Sequence, residues 1–114
     1  PLVQSRWIAF QDADDVSHPE RFETQLRLMR RHRIAMSGCS FRVVDEKGRC
    51  LRERHMVRNV NLWIRLGRRF TLLHPTSIVD RECMLRVGGF DGTARVAADQ
   101  DFLLRVARLG RVRN

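Results

Sequence analysis

Trp7-Ile8-Ala9-Phe10-Gln11-Asp12-Ala13-Asp14-Asp15 carries four apolar residues straight into a cluster of three carboxylates. The apolar run predicts a buried strand, and the acidic cluster falls where that strand ends. Like charges this close repel. A hard divalent cation such as Mg²⁺ or Mn²⁺ relieves the repulsion by taking carboxylate oxygens as ligands. In open α/β sheets, ligands bind beyond the carboxyl ends of strands. Asp-x-Asp at a strand end therefore fits a metal–phosphate site. It fits equally a turn followed by a helix cap, because Asp favours both places.

Working outward, the strand is expected over Leu2 to Gln11. Ser17-x-x-Glu20 has capping-box spacing, with Pro19 in the first turn of a helix from His18 to His32. Phe22, Leu26 and Met29 form its apolar face, with Gln25 and Leu28 at the edges. Ile34 to Val44 reads as a strand, and Asp45-Glu46-Lys47-Gly48 as a turn to a return strand through Leu51. Asn59 or Asn61 caps a helix carrying Leu62, Trp63, Leu66 and Phe70. A strand follows His74-Pro75, then a short helix from Arg81 to Val87 stopped by Gly88-Gly89. The last helix runs from Ala97 to Leu109, with Phe102, Leu103, Val106 and Leu109 buried and Gly110 ending it.

A chain of 114 residues makes one domain at most, with a modest core. Its 43% hydrophobic content argues against disorder. The net charge of +9 rests on 22 basic residues, all but Lys47 arginine, and favours anionic partners without choosing among them. Cys39, Cys50 and Cys83 lack metal-ligand spacing and read as inert thiols in a reducing compartment. No apolar run approaches membrane-spanning length.

The ordered series Phe10-Gln11-Asp12-Ala13-Asp14-Asp15, His18-Pro19-Glu20-Arg21, His74-Pro75-Thr76, Asp80-Arg81-Glu82, Gly88-Gly89-Phe90-Asp91 and Asp99-Gln100-Asp101-Phe102-Leu103-Leu104-Arg105 resembles the family 2 glycosyltransferases of GT-A fold. The resemblance implies an α/β chain, a partial GT-A fold with a mixed sheet flanked by helices. It forms one partial catalytic domain over residues 1–114 that keeps the metal and acceptor half. The family's βαβ half for nucleobase and ribose would precede Trp7, and nothing in Pro1 to Arg6 can be that half. Strands that pair with that half would then offer open edges for self-association.

The implied activity is metal-dependent, inverting transfer of a sugar from a nucleotide-diphosphate sugar to an acceptor hydroxyl. A UDP-sugar donor, a glycan or lipid-linked acceptor, and polysaccharide or cell-envelope synthesis follow from the family. Asp12-Ala13-Asp14 matches the Asp-x-Asp motif. Asp14 would be the direct ligand of Mn²⁺ or Mg²⁺, with Asp12 near the ribose or the metal's water shell and Asp15 beside them on the donor. His74 matches a histidine near the diphosphate and metal. Asp99 matches the aspartate that serves as general base, although the glutamate that precedes it in the family is Ala98 here. Gly88, Gly89, Phe90 and Asp91 match the loop that receives the acceptor.

Each role has a simpler rival. Asp99 and Asp101 suit a helix N-terminus, Gly88-Gly89 is first a helix stop, and Arg105 can pair with Asp101 one turn away. Trp7 and Trp63 read as core. The competing functions are a basic nucleic-acid-binding module and a non-catalytic remnant of the family. The first lacks a helix-turn-helix, zinc-knuckle or RNA-stacking signature. The expected location is cytoplasmic, with peripheral contact to an anionic membrane.

Overall fold

A computed structural model describes residues 3–91 and 97–114. Its elements are β1 (Trp7–Ala9), α1 (Arg21–His32), β2 (Ile34–Ser37), β3 (Phe41–Val44), β4 (Cys50–Arg54), α2 (Val60–Arg65), β5 (Ile78–Asp80), α3 (Arg81–Arg86), α4 (Ala98–Leu109) and β6 (Arg111–Arg113), with a 3₁₀ turn at His74–Thr76. Four strands form a mixed sheet in the order β1-β5-β2-β6. β5 is antiparallel to both β1 and β2, while β6 runs parallel to β2. β3 and β4 form a separate hairpin. This is the expected α/β architecture.

Two apolar layers hold the sheet. On one side Met29 of α1 packs with Ile34 and Ile78, and Trp7, Leu26 and Leu28 close the edge. On the other, Phe102, Leu103 and Val106 of α4 pack with Met36, Val79 and Val112 of the sheet, and with Val60 and Leu72. Ile34 and Met36 would share a face in a regular strand. A register shift lies between them, so one serves each layer.

Several expectations are corrected. The first strand is three residues long, not ten, and its first expected residue, Leu2, lies outside the described residues. It is half-buried rather than buried, because it is an edge strand with β5 as its sheet neighbour and Ala9 exposed. The capping box does not form. The Ser17 hydroxyl bonds to Gln11, the Glu20 amide to His18 Nδ1, and the helix starts at Arg21 without a side-chain cap. On α1 the buried residues are Gln25 and Met29, while Phe22 is exposed.

The long expected strand from Ile34 to Val44 divides at Gly38 into β2 and β3, which belong to different sheets. A Cβ on Gly38 would sit 2.2 Å from Asn114 Oδ1 and 2.8 Å from Leu72 Cγ. The crossing of chains at this point needs glycine, and the chain turns away into the hairpin beyond it. The turn at 45–48 holds: Asp45 accepts from the Lys47 and Arg49 amides, and Gly48 takes φ 77°.

Asn59, not Asn61, caps α2 by accepting from the Leu62 amide. That helix ends before Phe70, which is exposed and takes φ 55°. Leu109, the last residue of α4, is exposed as well. Trp7 and Trp63 are only half-buried, each with a guanidinium (Arg6, Arg68) over its ring. No helix among the described residues is long and apolar enough to cross a membrane.

Candidate active site

β1 delivers the acidic cluster. After Ala9 the Phe10 amide donates to Ser77 O at 2.9 Å, which extends the pairing with the β5 side by one residue. The chain then folds into a turn closed by the Asp15 amide on Asp12 O at 3.2 Å and by Gln11 Nε2 on Asp15 O at 2.9 Å. Asp12, Asp14 and Asp15 are all exposed. The turn and the metal-site reading are therefore compatible: the backbone closes on itself and leaves the carboxylates to solvent.

Beside this turn stands His74, at the head of the 3₁₀ turn that precedes β5. Pro75 in the first turn suits it, since its missing N–H is not needed there. The imidazole stacks on Phe10 at 4.3 Å and meets Phe90 edge-on at 5.3 Å. Phe90 in turn lies on Phe102 at 4.5 Å, so one ring stack runs from the core to the surface. Burial pushes the His74 pKa down, and the nearby carboxylates of Asp99 and Asp12 partly oppose this. His74 Nε2 is buried and has no hydrogen-bond partner among the described residues.

Asp99 lies in the first turn of α4 and is half-buried. No side chain caps this helix, and Ala97 before it takes φ 59°, a left-handed conformation that costs about 1–2 kcal/mol for a residue with a Cβ. Asp101 pairs with Arg105 at 2.8 Å within the helix, as its spacing suggested. Arg105 also donates to Val87 O, which ties α4 to the end of α3. Asp80 caps α3, accepting from the Glu82 and Cys83 amides. Gly88 and Gly89 end the helix at φ 77° and 69°, and Phe90 and Asp91 follow on the surface.

Thus Asp12, His74, Phe90 and Asp99 come to one end of the sheet, with Gly88 and Gly89 supplying the turn that carries Phe90. Asp14 and Asp15 follow Asp12 on the exposed turn. Among the described residues, no three His, Cys, Asp or Glu side chains gather closely enough to hold a metal ion. Asp12, Asp14 and His74 therefore do not form a closed cage. Mg²⁺-type sites often need none, because one or two carboxylates and substrate phosphates complete the shell. The exposed carboxylates and the unpartnered His74 nitrogen fit that open arrangement.

Sequence reasoning assigned no role to Arg21 and underrated Gln25. Arg21 donates to Phe10 O, Pro75 O, Ser17 Oγ and Gln25 Oε1, and joins the acidic turn to the His74 turn. Two signals were present. A cation in a first turn opposes the helix dipole, and a glutamine on an apolar face implies a buried network. The three thiols are free; Cys50 is exposed, while burial pushes those of Cys39 and Cys83 up.

The His74 environment sets a pH dependence. Its folded pKa lies below its unfolded one, so the unfolded chain binds more protons in the window between them. Stability from neutral His74 is present above the ordinary histidine pKa and is lost as pH falls through the depressed folded value. Urea unfolding at pH 7.5 and pH 5.5 should show a loss on acidification that His74→Gln reduces. An acid limb unchanged in the variant would refute this.

The family model described as glycosyl transferase family 2 matches residues 2–93. That range holds the acidic turn, His74 and the Gly88–Asp91 loop, and it stops short of Asp99. The O-antigen biosynthesis glycosyltransferase WbnJ of Escherichia coli is 29% identical over 99 residues, which is 87% of this chain and 39% of that protein. The chain thus spans well under half the length of this relative. No solved structure matches it.

Proposed function

Because the chain belongs to glycosyl transferase family 2, we propose that it forms the metal and acceptor side of an inverting sugar-transfer site. The donor is a nucleotide-diphosphate sugar, in our reading a UDP-sugar, and the acceptor is a glycan or lipid-linked hydroxyl. The printed name of the relative WbnJ favours cell-envelope polysaccharide as the product. What supports the reading most is that Asp12 and Asp99, far apart in sequence, both act on the one half-buried imidazole of His74.

Asp14 and Asp12 would hold a divalent cation together with diphosphate oxygens. When bound, that cation supplies charge neutralisation to the departing diphosphate. His74, whose Nε2 has no partner among the described residues, lies near Asp12 and Asp99. Asp99 accepts the proton of the acceptor hydroxyl as its oxygen attacks the anomeric carbon. A bond forms on one face of the sugar while the bond to diphosphate breaks on the other, so configuration inverts. Gly88, Gly89, Phe90 and Asp91 border the acceptor's approach, and the Phe90 ring offers it an apolar face.

The test is a calorimetric titration of UDP into the chain, with and without Mn²⁺, repeated on Asp14→Asn. Heat that requires both Mn²⁺ and Asp14 is the expected result. Heat that survives either change, or no metal-dependent heat from a chain that circular dichroism shows to be folded, would count against a diphosphate site here.

A further inference from the structure

At the opposite end of α4 from Asp99 lies a cleft of about 570 Å³ between α2 and the ends of α4 and β6. Arg65, Arg108, Arg111 and Arg113 all line it, and no carboxylate does. Asp99 in the first turn and Arg108 in the last are separated by about 14 Å along the helix, at about 1.5 Å per residue. This cleft is therefore distinct from the acidic site.

Three observations bear on what these arginines do. First, among the described residues none of the four guanidinium groups makes an ion pair or hydrogen bond; Arg30 and Arg31 of α1 share that, but here four arginines converge on one hollow that no carboxylate lines, whereas Glu23 stands beside Arg27, Arg30 and Arg31. Second, they are not needed by the C-terminus of α4. Asn61 Nδ2 already donates to Ala107 O at 2.9 Å and Gly110 O at 3.0 Å.

Third, the walls are fixed. Asn61 Oδ1 accepts from the Val112 amide at 2.7 Å, and fully buried Val112 anchors β6 so that Arg111 and Arg113 share the face opposite the core. Four cations carried on these elements around one hollow repel each other, and an anion relieves that repulsion. Guanidinium forks match phosphate oxygens in pairs, and several forks suit a group that carries more than one negative charge.

We infer that the Arg65–Arg108–Arg111–Arg113 cleft is a binding site for a phosphate-bearing ligand, independent of the metal-dependent site at the other end of α4. The ligand is either a free phosphate or diphosphate, or the phosphate of an anionic lipid headgroup. Sodium pyrophosphate is titrated into the chain by calorimetry in EDTA, which silences any metal-dependent site. In parallel, the chain is sedimented with vesicles of phosphatidylcholine alone or mixed with phosphatidylglycerol.

The variant Arg111→Glu/Arg113→Glu is compared with Arg30→Glu/Arg31→Glu, an equal charge change on α1 outside the cleft. The first pair should weaken binding about tenfold or more, since hydrogen bonds to charged groups are at stake. The second should change it by about twofold or less through general charge alone. Saturable pyrophosphate binding with that pattern supports a free phosphate ligand. Binding only to phosphatidylglycerol vesicles, with the same pattern, supports a headgroup. No binding to either, or equal weakening by both pairs, overturns the site. Should the β6 variant fail to fold, Arg65→Gln/Arg108→Gln on the helices carries the same expectation.

Discussion

Phe102→Ala is expected to lower the unfolding free energy by about 3–5 kcal/mol, the range for truncating a buried phenylalanine. Phe102 is fully buried and contacts both the sheet layer and the ring stack, with Phe90 at 4.5 Å and Phe10 at 6.4 Å. A domain of this size has about 5–15 kcal/mol in total, so the variant would keep little margin. Leu109→Ala, about two helical turns away and equal to it on the sequence stripe, should cost about 0.5 kcal/mol or less because the residue is 45% exposed. Urea unfolding of both variants decides the matter, and a Phe102→Ala loss under about 1 kcal/mol would mean the core is wrongly placed.

The same substitution reaches the candidate site. Phe90 and Phe10 lean on the Phe102 ring, and His74 leans on Phe90 and Phe10. Removing the innermost ring takes away the floor on which the imidazole is stacked. Amide exchange at Phe10, whose N–H is held by Ser77 O, should therefore quicken more than global destabilisation alone predicts. In this chain the core and the site are one stack of rings, so packing and function are not separable at Phe102.

What the sequence made legible follows physical range. Periodicity is local, and it placed α4 with Phe102, Leu103 and Val106 inside. Turn chemistry is local too, and it placed the Asp45–Gly48 turn and the Gly88-Gly89 stop. The three-residue strand β6 escaped because Arg-Val-Arg carries one apolar residue, and its place is decided by pairing with β2 and by Asn61. The division at Gly38 escaped because its cause, the approach of Leu72 and Asn114, lies far along the chain.

The candidate site divides the same way. Its carboxylates and histidine were legible as residue types in order. That Asp12 and Asp99 share His74 was not, because only the sheet order brings β1 beside β5 and packs α4 on the same sheet. Arg21 was the largest omission. On a helical wheel it is one more arginine on a basic helix, and only the fold shows it turned inward toward two backbone carbonyls.

Arg21→Met should therefore destabilise the chain by about 2–4 kcal/mol, because it removes the donor from several part-buried acceptors at once. Its Nη2 donates to Phe10 O at 2.9 Å and Pro75 O at 3.0 Å, its Nη1 to Ser17 Oγ at 2.8 Å, and its Nε to Gln25 Oε1 at 3.1 Å. Gln25 is itself buried and passes the network on to Ser37 and Thr76 O. Methionine keeps much of the apolar stem and removes every one of those donors, so the loss reads the hydrogen bonds and not the packing. Arg21→Lys separates charge from geometry. A single ammonium cannot reach four acceptors laid out for a planar fork, so lysine should recover less than about half of the loss. Urea unfolding of the two variants supplies both numbers; full rescue by lysine would show that charge alone matters. The consequence for function follows from where the carbonyls lie. Phe10 leads into Asp12 and Asp14, and Pro75 follows His74, so one guanidinium sets the spacing between the acidic turn and the imidazole. In Arg21→Met the Mn²⁺-dependent heat with UDP should fall even at temperatures where the chain remains folded. Undiminished heat in a destabilised variant would show that the two turns hold their positions without it.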